Sequence, residues 1–229
     1  MLKLIHYPLC PASRAIRLTL NEAEIPHDLD ELKPWTPDRE FLNMHPAGTL
    51  PVLLDEKRPV CGAPAIVEHL QERQMSEARS PARFHPFPGG TFERAEARRA
   101  SDWFLRKLDA EVTQYLLEEK IYKPMSGIRS SPDLSAIRVA RANLRYHLAY
   151  LSYLADQRRW LAGDSMSFAD FAAAAQISVL DYLGEIQWDD CPEAKNWYAR
   201  MKSRPAFRPL LTERLPGVNP SQAYANLDF

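Results

Sequence analysis

The sequence predicts an α/β domain built around a mixed sheet, followed by an all-helical domain. Strand-like and helix-like segments alternate through residues 1–76, whereas helical periodicity dominates the chain from Thr91 onwards. Between them, Ser76 to Gly90 is rich in proline, glycine and charged residues, a composition typical of an interdomain linker. We therefore divide the 229 residues into an α/β domain (1–76), a linker (77–90), a helical domain (91–214) and a C-terminal tail (215–229).

The elements of the α/β domain are predicted from the spacing of apolar residues and from prolines that interrupt helices and strands. Apolar residues at 2–5 predict a short buried strand, and the helix after the turn at Pro8 to Pro11 ends before Pro26. The predicted elements are a strand at 2–5, a helix at 12–25, a weak strand at 28–32, a short helix at 38–44, a strand at 49–54, a returning strand at 59–61 and a helix that opens at 62–64.

The helical domain has three clear helix starts. The Thr91 hydroxyl can cap a helix whose first turn contains Glu93. The sequence Ser-Pro-Asp at 131–133 starts a long helix with a buried stripe, and the capping box at 167–170 opens a very apolar helix. The predicted helices are 91–117, 133–155, 168–183, 191–202 and a short one bracketed by Pro205 and Pro209.

Charge and hydropathy argue against several classes of protein. The net charge is −1, so the overall composition does not suggest a nucleic-acid-binding or membrane-surface protein. The longest apolar stretch, Phe168 to Leu183, is interrupted by Asp170, Gln176 and Asp181, which favours a buried helix over a membrane span. The N-terminus leads into a strand pattern without the layout of a signal peptide. We expect a cytoplasmic protein that neither binds nucleic acid nor inserts into a membrane.

Cysteine usage indicates a reducing compartment. The three cysteines, Cys10, Cys61 and Cys191, are odd in number and far apart in the sequence, which favours free thiols. The histidines are scattered as well, so we predict no zinc or other metal site.

The segment Asn43 to Leu54 is the first candidate for a functional site. It begins as a turn rich in Asn, Pro and Gly and ends as a short apolar strand, with Pro51 at the joint. Proline cannot donate to a sheet ladder, so it belongs at the start of a strand, and it also permits a cis peptide bond. The alternative is an ordinary junction between a loop and a strand.

Four segments together resemble the cytosolic glutathione transferase family, and the likeness covers residues 1–214. They are residues 7–14 (YPLCPASR), 43–53 (NMHPAGTLPVL), 65–70 (AIVEHL) and the capping box at 167–170 (SFAD). The resemblance implies a thioredoxin-like N-terminal domain and an all-α C-terminal domain. It also implies that Pro51 is cis and that Leu50 offers its backbone to the cysteinyl group of glutathione.

A transferase must ionise the thiol of glutathione, which requires a donor near the N-terminus of the first helix. The candidates are Tyr7, Cys10 and Ser13. Cys10 stands at the helix start, where free N–H groups and the helix dipole favour a thiolate, as a cysteine-type transferase or a redox protein would need. The alternatives are a structural role for Cys10 in a half-buried position and a packing role for Tyr7.

The residues that would hold the γ-glutamyl end of glutathione are absent from the sequence. In the family, a Glu-Ser pair just before the third helix binds the γ-glutamyl carboxylate. The register of the segment at 65–70 places Gly62 and Ala63 at those two positions. Losing two polar contacts to a charged ligand costs roughly 2–5 kcal/mol. We therefore expect no bound cofactor, no catalytic residue and a vestigial glutathione site made of Cys10, Ser13, Leu50, Pro51, Gly62 and Ala63.

Trp35 is the first of three features that we expect to face outward. It lies in a loop between Pro34 and Pro37, and a Trp on a stiff loop is a favourable anchor for a partner. The alternative is that its ring folds back over the sheet edge.

The second feature is a basic stripe formed by Arg138, Arg141 and Arg145 on the long helix. No acidic residue within that segment offsets the three charges, so the stripe fits an acidic partner. The alternative is a solvated face or a row of salt bridges between subunits.

The third feature is the end of the tail, where Leu227, Asp228 and Phe229 follow Tyr224. Chain termini usually fray, so an apolar and aromatic ending either docks on the body of the protein or binds a partner. Both outcomes remain open at this stage.

Four further segments point to a narrower group within the family. They are residues 32–37 (LKPWTP), 138–147 (RVARANLRYH), 207–211 (FRPLL) and 224–229 (YANLDF). They resemble the glutathione-transferase-like division proteins of alphaproteobacteria that bind the tubulin homologue FtsZ. The resemblance implies a non-catalytic homodimer that binds FtsZ filaments at the division site, favours their curvature and promotes constriction. The alternative is a glutathione-dependent transferase or thiol reductase that uses Cys10.

Overall fold

A four-stranded mixed sheet forms the centre of the N-terminal domain. The computed structural model of the protein describes residues 1–76, 84–128 and 131–227. The strands lie in the order β2-β1-β3-β4, with β2 parallel to β1, and with β3 antiparallel to both β1 and β4. Their bounds are β1 (Leu2–His6), β2 (His27–Glu31), β3 (Val52–Asp55) and β4 (Arg58–Cys61).

Three helices complete this domain: α1 (Pro11–Glu22), α2 (Arg39–Met44) and α3 (Ala63–Ser76). Pro11 occupies the first position of α1, where its missing N–H group costs nothing. The Asp38 carboxylate caps α2 by accepting a hydrogen bond of 2.7 Å from the N–H of Phe41. The predicted order of strands and helices is therefore confirmed.

The predicted strand at 49–54 begins later than expected, at Val52. Pro51 has no N–H group for the ladder, so pairing with β1 starts at the next residue, where Val52 lies opposite Ile5. The Leu50–Pro51 peptide bond is cis, as the family resemblance implied. The turn from β3 to β4 is made by Glu56 and Lys57, which both have positive φ angles.

The second domain opens with one continuous helical segment whose winding changes along its length. It consists of α4 (Thr91–Asp102), a π-helical stretch (Trp103–Thr113), α5 (Gln114–Leu117), a second π-helical stretch (Glu118–Tyr122) and α6 (Lys123–Met125). The prediction of a regular helix at 91–117 missed this winding and stopped too early. The proposed cap at Thr91 was also wrong, because Gly90 is the extended residue that precedes the helix.

The remaining helices confirm the predicted pattern. Asp133 caps α7, and the capping box between Ser167 and Asp170 is complete at the start of α8, whose residues are all buried. No helix of the described residues is long and apolar enough to cross a membrane. The elements are α7 (Leu134–Gln157), α8 (Phe168–Tyr182), a 3₁₀ turn (Trp188–Asp190), α9 (Pro192–Lys202), a second 3₁₀ turn (Pro205–Phe207) and α10 (Arg208–Thr212).

The two domains share a buried interface in which α1 packs against α8. The fully buried Arg14 of α1 donates hydrogen bonds to the Pro8 carbonyl at 2.6 Å and to the Ser178 hydroxyl at 2.8 Å. In the part of the predicted linker that is described, Phe84 packs on Phe171 with ring centroids 4.8 Å apart. Residues 77–83 of that linker lie outside the described residues, and the domain boundaries stay a prediction.

Candidate functional site

A cleft of about 620 Å³ lies between the two domains, beside Cys10. This volume is in the range of small-molecule sites in proteins. Each domain contributes one wall. The lining residues are Cys10, Pro11, Ala12, Pro34, Gly48, Thr49 and Leu50 from the N-terminal domain, and Leu105, Asp109, Gln114, Tyr115, Leu117, Glu118 and Tyr122 from the helical domain.

Cys10 stands immediately before α1, as predicted, but its environment does not favour a thiolate. Its side chain makes no capping hydrogen bond, and Sγ lies 3.8 Å from the carbonyl oxygen of Leu50. Burial raises the pKa of the Cys10 thiol, and hydrogen bonding to Ser13 offsets only part of that rise. The raised pKa fits the structural role left open for Cys10 better than an activated thiolate, because desolvation outweighs the helix N-terminus.

The cis-proline joint and the predicted γ-glutamyl position lie next to each other. The N–H of Gly62 donates to the carbonyl oxygen of Pro51 at 3.0 Å, and Gly62 has a φ angle of +84°. Ala63 is buried at the first position of α3 and carries no polar group. Of the six residues predicted for a vestigial glutathione site, Cys10 and Leu50 line the cleft, whereas Ser13, Pro51, Gly62 and Ala63 do not.

Trp35 is half-buried, and its ring packs inward against rings of both domains, while its contact with a partner stays a prediction. Its ring makes an edge contact with Tyr7 at 5.4 Å between centroids and a tilted contact with Tyr122 at 5.5 Å. Tyr7 is itself buried, and burial raises the pKa of its hydroxyl, which fits the packing role left open for this residue. Packing the Trp35 ring against other aromatic rings is more favourable than exposing it to water, which explains its half-buried position.

The basic stripe on α7 is only partly available to a partner. Arg138, Arg141 and Arg145 are all exposed, but Nε of Arg141 lies 2.7 Å from Oε2 of Glu185. Glu185 follows α8 and also pairs with Lys120. No acid within the segment offsets the stripe, as the sequence indicated, but an acid from another element pairs with Arg141.

The C-terminal tail docks on the body of the protein at least as far as Asn226. Tyr224 is fully buried, and its hydroxyl donates to the carbonyl oxygen of Leu210 at 2.8 Å. Leu227 is exposed. Asp228 and Phe229, which the sequence singled out with Leu227 as a binding segment, lie outside the described residues.

Sequence reasoning missed the acidic and aromatic wall of the cleft. Leu105, Asp109, Gln114, Glu118 and Tyr122 all line it and follow one another at intervals of four or five residues. This spacing brings residues onto one face where the helix is wound with π geometry, as it is in the stretches that contain four of them. The spacing is visible in the sequence, but it points to a shared face only once the winding is known.

No metal centre is formed by the described side chains. Within residues 1–76, 84–128 and 131–227, no group of three or more His, Cys, Asp or Glu residues is arranged to hold a metal ion. The three cysteines have free thiols.

Each of the two domains matches the model of a known protein family. The family model for the glutathione S-transferase N-terminal domain matches residues 9–73, and the model for the glutathione S-transferase C-terminal domain matches residues 124–205. FtsZ-localized protein A from Caulobacter vibrioides is 44% identical over 98% of this chain and 96% of its own length.

Several solved structures match the whole chain. A glutathione S-transferase from Sinorhizobium meliloti 1021 is 50% identical, with a TM-score of 0.93 and full coverage of both chains. FzlA from C. crescentus is 44% identical, with a TM-score of 0.90 over 100% of this chain and 99% of its own.

Proposed function

The chain belongs to the glutathione S-transferase family, and we propose that it is a non-catalytic homodimer that binds FtsZ filaments at the division site. It promotes the curvature of these filaments and cell constriction. The observation that carries the proposal is the 44% identity to FtsZ-localized protein A, which spans both domains and almost the full length of both proteins. Because the similarity extends over both domains, we expect both domains to contribute surfaces to a binding property that the two proteins share.

The chemistry of the cleft supports a function without catalysis. The residues at the γ-glutamyl position are Gly62 and Ala63, which offer no side-chain polar contact, and the pKa of Cys10 is raised. A bound glutathione would lack both a side-chain partner for its γ-glutamyl carboxylate and an activated thiol beside it. These features support the proposal that the protein does not use glutathione as a cofactor.

Arg138 and Arg145 are the best candidates for contact with an acidic filament. Both are exposed, and no ion pair involving them occurs among the described residues. Arg141 contributes to the same face through a side chain that is 55% exposed even while it pairs with Glu185. Leu227, Asp228 and Phe229 form a second contact, since the tail is docked just before them. Trp35 is a further candidate for contact with the filament, since its ring is only half-buried.

Dimerisation strengthens such contacts because a filament repeats its binding sites. Once one site of the dimer has bound the filament, the second site is held near it at a high effective concentration. A closed two-fold dimer also presents the same surface twice, so it can contact two neighbouring subunits of a polymer.

Co-sedimentation with polymerised FtsZ tests the proposal. The wild-type protein pellets with polymer in the presence of GTP and remains in the supernatant without it. We expect Arg138→Glu combined with Arg145→Glu, and separately Asp228→Lys, to lower the pelleted fraction several-fold. Arg39→Glu is the matched control, since Arg39 is an exposed arginine at the start of α2. The proposal is wrong if the wild-type protein does not pellet, and the placement of the surface is wrong if all variants pellet equally.

A glutathione-dependent transferase or thiol reductase is the second candidate, because the cleft beside Cys10 is open. This function requires retention on immobilised glutathione and turnover of a model electrophile or disulfide. Cys10→Ala must abolish that turnover if the thiol is the reactive group. Absence of both retention and turnover in the wild-type protein would leave the second candidate without support.

A further inference from the structure

The described residues that line the interdomain cleft include two carboxylates and no Lys, Arg or His. Asp109 and Glu118 supply these carboxylates, and the other titratable lining residues are Cys10 and two tyrosines. The other polar lining groups include the Thr49 hydroxyl and the Gln114 amide. The cleft therefore has a negative potential without a compensating charge on its wall.

These two carboxylates differ from their neighbours on the same helical segment. Asp102 pairs with Arg106 at 2.6 Å, and Glu111 pairs with Lys107. By contrast, no cationic side chain lies within ion-pair distance of Asp109 or Glu118 among the described residues. Neither carboxylate that faces the cleft is therefore held in an ion pair. Lys123 acts on Glu118 only from beyond ion-pair distance, and its own ion pair is with Glu119.

Asp109 is held in place rather than free to turn away. Its Oδ1 accepts a hydrogen bond of 2.9 Å from Gln176, and its Oδ2 accepts one of 3.0 Å from Gln114. Both donors are neutral amides, which orient the carboxylate without neutralising it. Burial raises the pKa of Asp109, as expected for a carboxylate that is desolvated without a counter-charge.

The remaining lining residues are suited to bind an apolar or aromatic part of a ligand. Tyr115 and Tyr122 line the cleft together with Leu105 and Leu117. The Tyr122 ring is fixed by its contacts with Tyr7 and Trp35, so this wall is stiff. Tyrosine faces attract organic cations, and apolar side chains bind the uncharged part of a ligand.

From this arrangement we propose that the interdomain cleft binds a small organic cation, an amine carried on an apolar or aromatic body, with Asp109 and Glu118 as its counter-charges. Glutathione carries two carboxylates and one ammonium at neutral pH, so the same negative wall repels it. The inference is independent of FtsZ binding, because it concerns the cleft and not the exposed face of α7.

An isosteric series of three probes tests the charge preference of the cleft. The probes are 4-phenylbutylamine, 4-phenylbutanol and 4-phenylbutyrate, and binding to the full-length protein is measured by titration calorimetry and by ligand-observed NMR. We expect the amine to bind at least tenfold more tightly than the alcohol, and the carboxylate to bind more weakly than the alcohol. Glutathione serves as a fourth probe and is expected to bind more weakly than the amine.

Charge-neutralising variants locate the site. Glu118→Gln changes an exposed side chain, so it keeps the fold, and it should lower the preference for the amine over the alcohol several-fold. Asp109→Asn combined with Glu118→Gln should reduce that preference to twofold or less while the alcohol still binds. Glu72→Gln removes an exposed carboxylate outside the cleft and should leave the preference unchanged. The proposal is overturned if no probe binds, if the carboxylate or glutathione binds more tightly than the amine, or if the preference survives in the double variant.

Discussion

The Nζ ammonium group of Lys202 donates a hydrogen bond of 2.6 Å to the main-chain carbonyl oxygen of Asn226. The same group donates to the carbonyl oxygen of Ala223 at 3.0 Å and lies 3.6 Å from Oδ2 of Asp181. Because Lys202 is almost fully buried, its charge is balanced by the tail carbonyls and by Asp181 rather than by water. The docked part of the tail is therefore fastened to α9 by a buried lysine.

Lys202→Met should release the tail. The substitution removes the donor to both carbonyls and leaves Asp181 buried without its cation, so we expect a loss of roughly 3 kcal/mol in the free energy of unfolding. Hydrogen exchange at residues 217–226 should become faster than in the wild-type protein. Lys57→Met, at an exposed lysine in the β3–β4 turn, should change neither quantity. Unchanged exchange in the tail of the Lys202 variant would show that Tyr224 alone holds it.

Asp170→Ala should destabilise the protein more than any other change to a helix cap. The Asp170 carboxylate is fully buried and accepts from the N–H groups of Leu161 and Ser167, both at 3.0 Å, and from the indole of Trp197 at 3.2 Å. Three buried donors lose their acceptor in the variant, so we expect a loss of roughly 3–5 kcal/mol, measured by urea unfolding. Asp133→Ala, which removes the exposed cap of α7, should cost clearly less. Equal losses of stability in the two variants would contradict the conclusion that burial makes the Asp170 hydrogen bonds more costly to remove.

Stability should fall in mild acid because His6 is buried in its neutral form. Burial lowers the pKa of His6 to about 4, and the positive charge of Arg17 contributes to the shift. The unfolded chain binds a proton at this residue near pH 6.5, before the folded protein does, so the free energy of unfolding falls as the pH drops from about 6.5 to 4. A shift of this size corresponds to roughly 3 kcal/mol.

Unfolding curves at several pH values check this prediction. His6→Gln should flatten the pH dependence between pH 6.5 and 4, although part of it should remain because burial also lowers the pKa of His147. The interpretation fails if the variant keeps the full slope of the wild-type protein.

Cys10 should react slowly with alkylating reagents. Its thiol is the nucleophile only when ionised, and its pKa is raised by burial. At pH 7.5 we expect the rate of iodoacetamide labelling at Cys10, followed by peptide mass spectrometry, to be at least tenfold below that of a free small-molecule thiol. Cys10→Ala assigns the labelled peptide. Labelling faster than the free thiol would indicate an activated thiolate and would favour the reductase alternative.

Local signals in the sequence predicted much of the fold correctly. Asp38, Asp133 and the Ser167–Asp170 box begin helices because each requirement is satisfied within a few residues of chain. Pro51 marked the start of β3 for the same reason, since the absence of an N–H group is a property of the residue itself.

Contacts between residues that are far apart in the chain could not be predicted from local sequence signals. Arg141 has no acidic residue within its own segment because its partner Glu185 is 44 residues away, and the orientation of Trp35 stayed open because Tyr122 lies in the other domain. The role of the Cys10 thiol stayed open in the sequence for a related reason: the helix start is local, but the desolvation that raises its pKa comes from the packing around it. In each case the missing information was a contact between distant segments.

The sequence by itself determined the two-domain organisation, the helix and strand order and the absence of a Glu-Ser pair at Gly62 and Ala63, because these depend on residue type and spacing. Only the tertiary structure decided which charges face each other and which stay unpaired. Asp109 and Glu118 line the cleft because π-helical winding places them on one face and the N-terminal domain closes the other side. Electrostatic and desolvation energies depend on distances in space, which the order of residues does not fix.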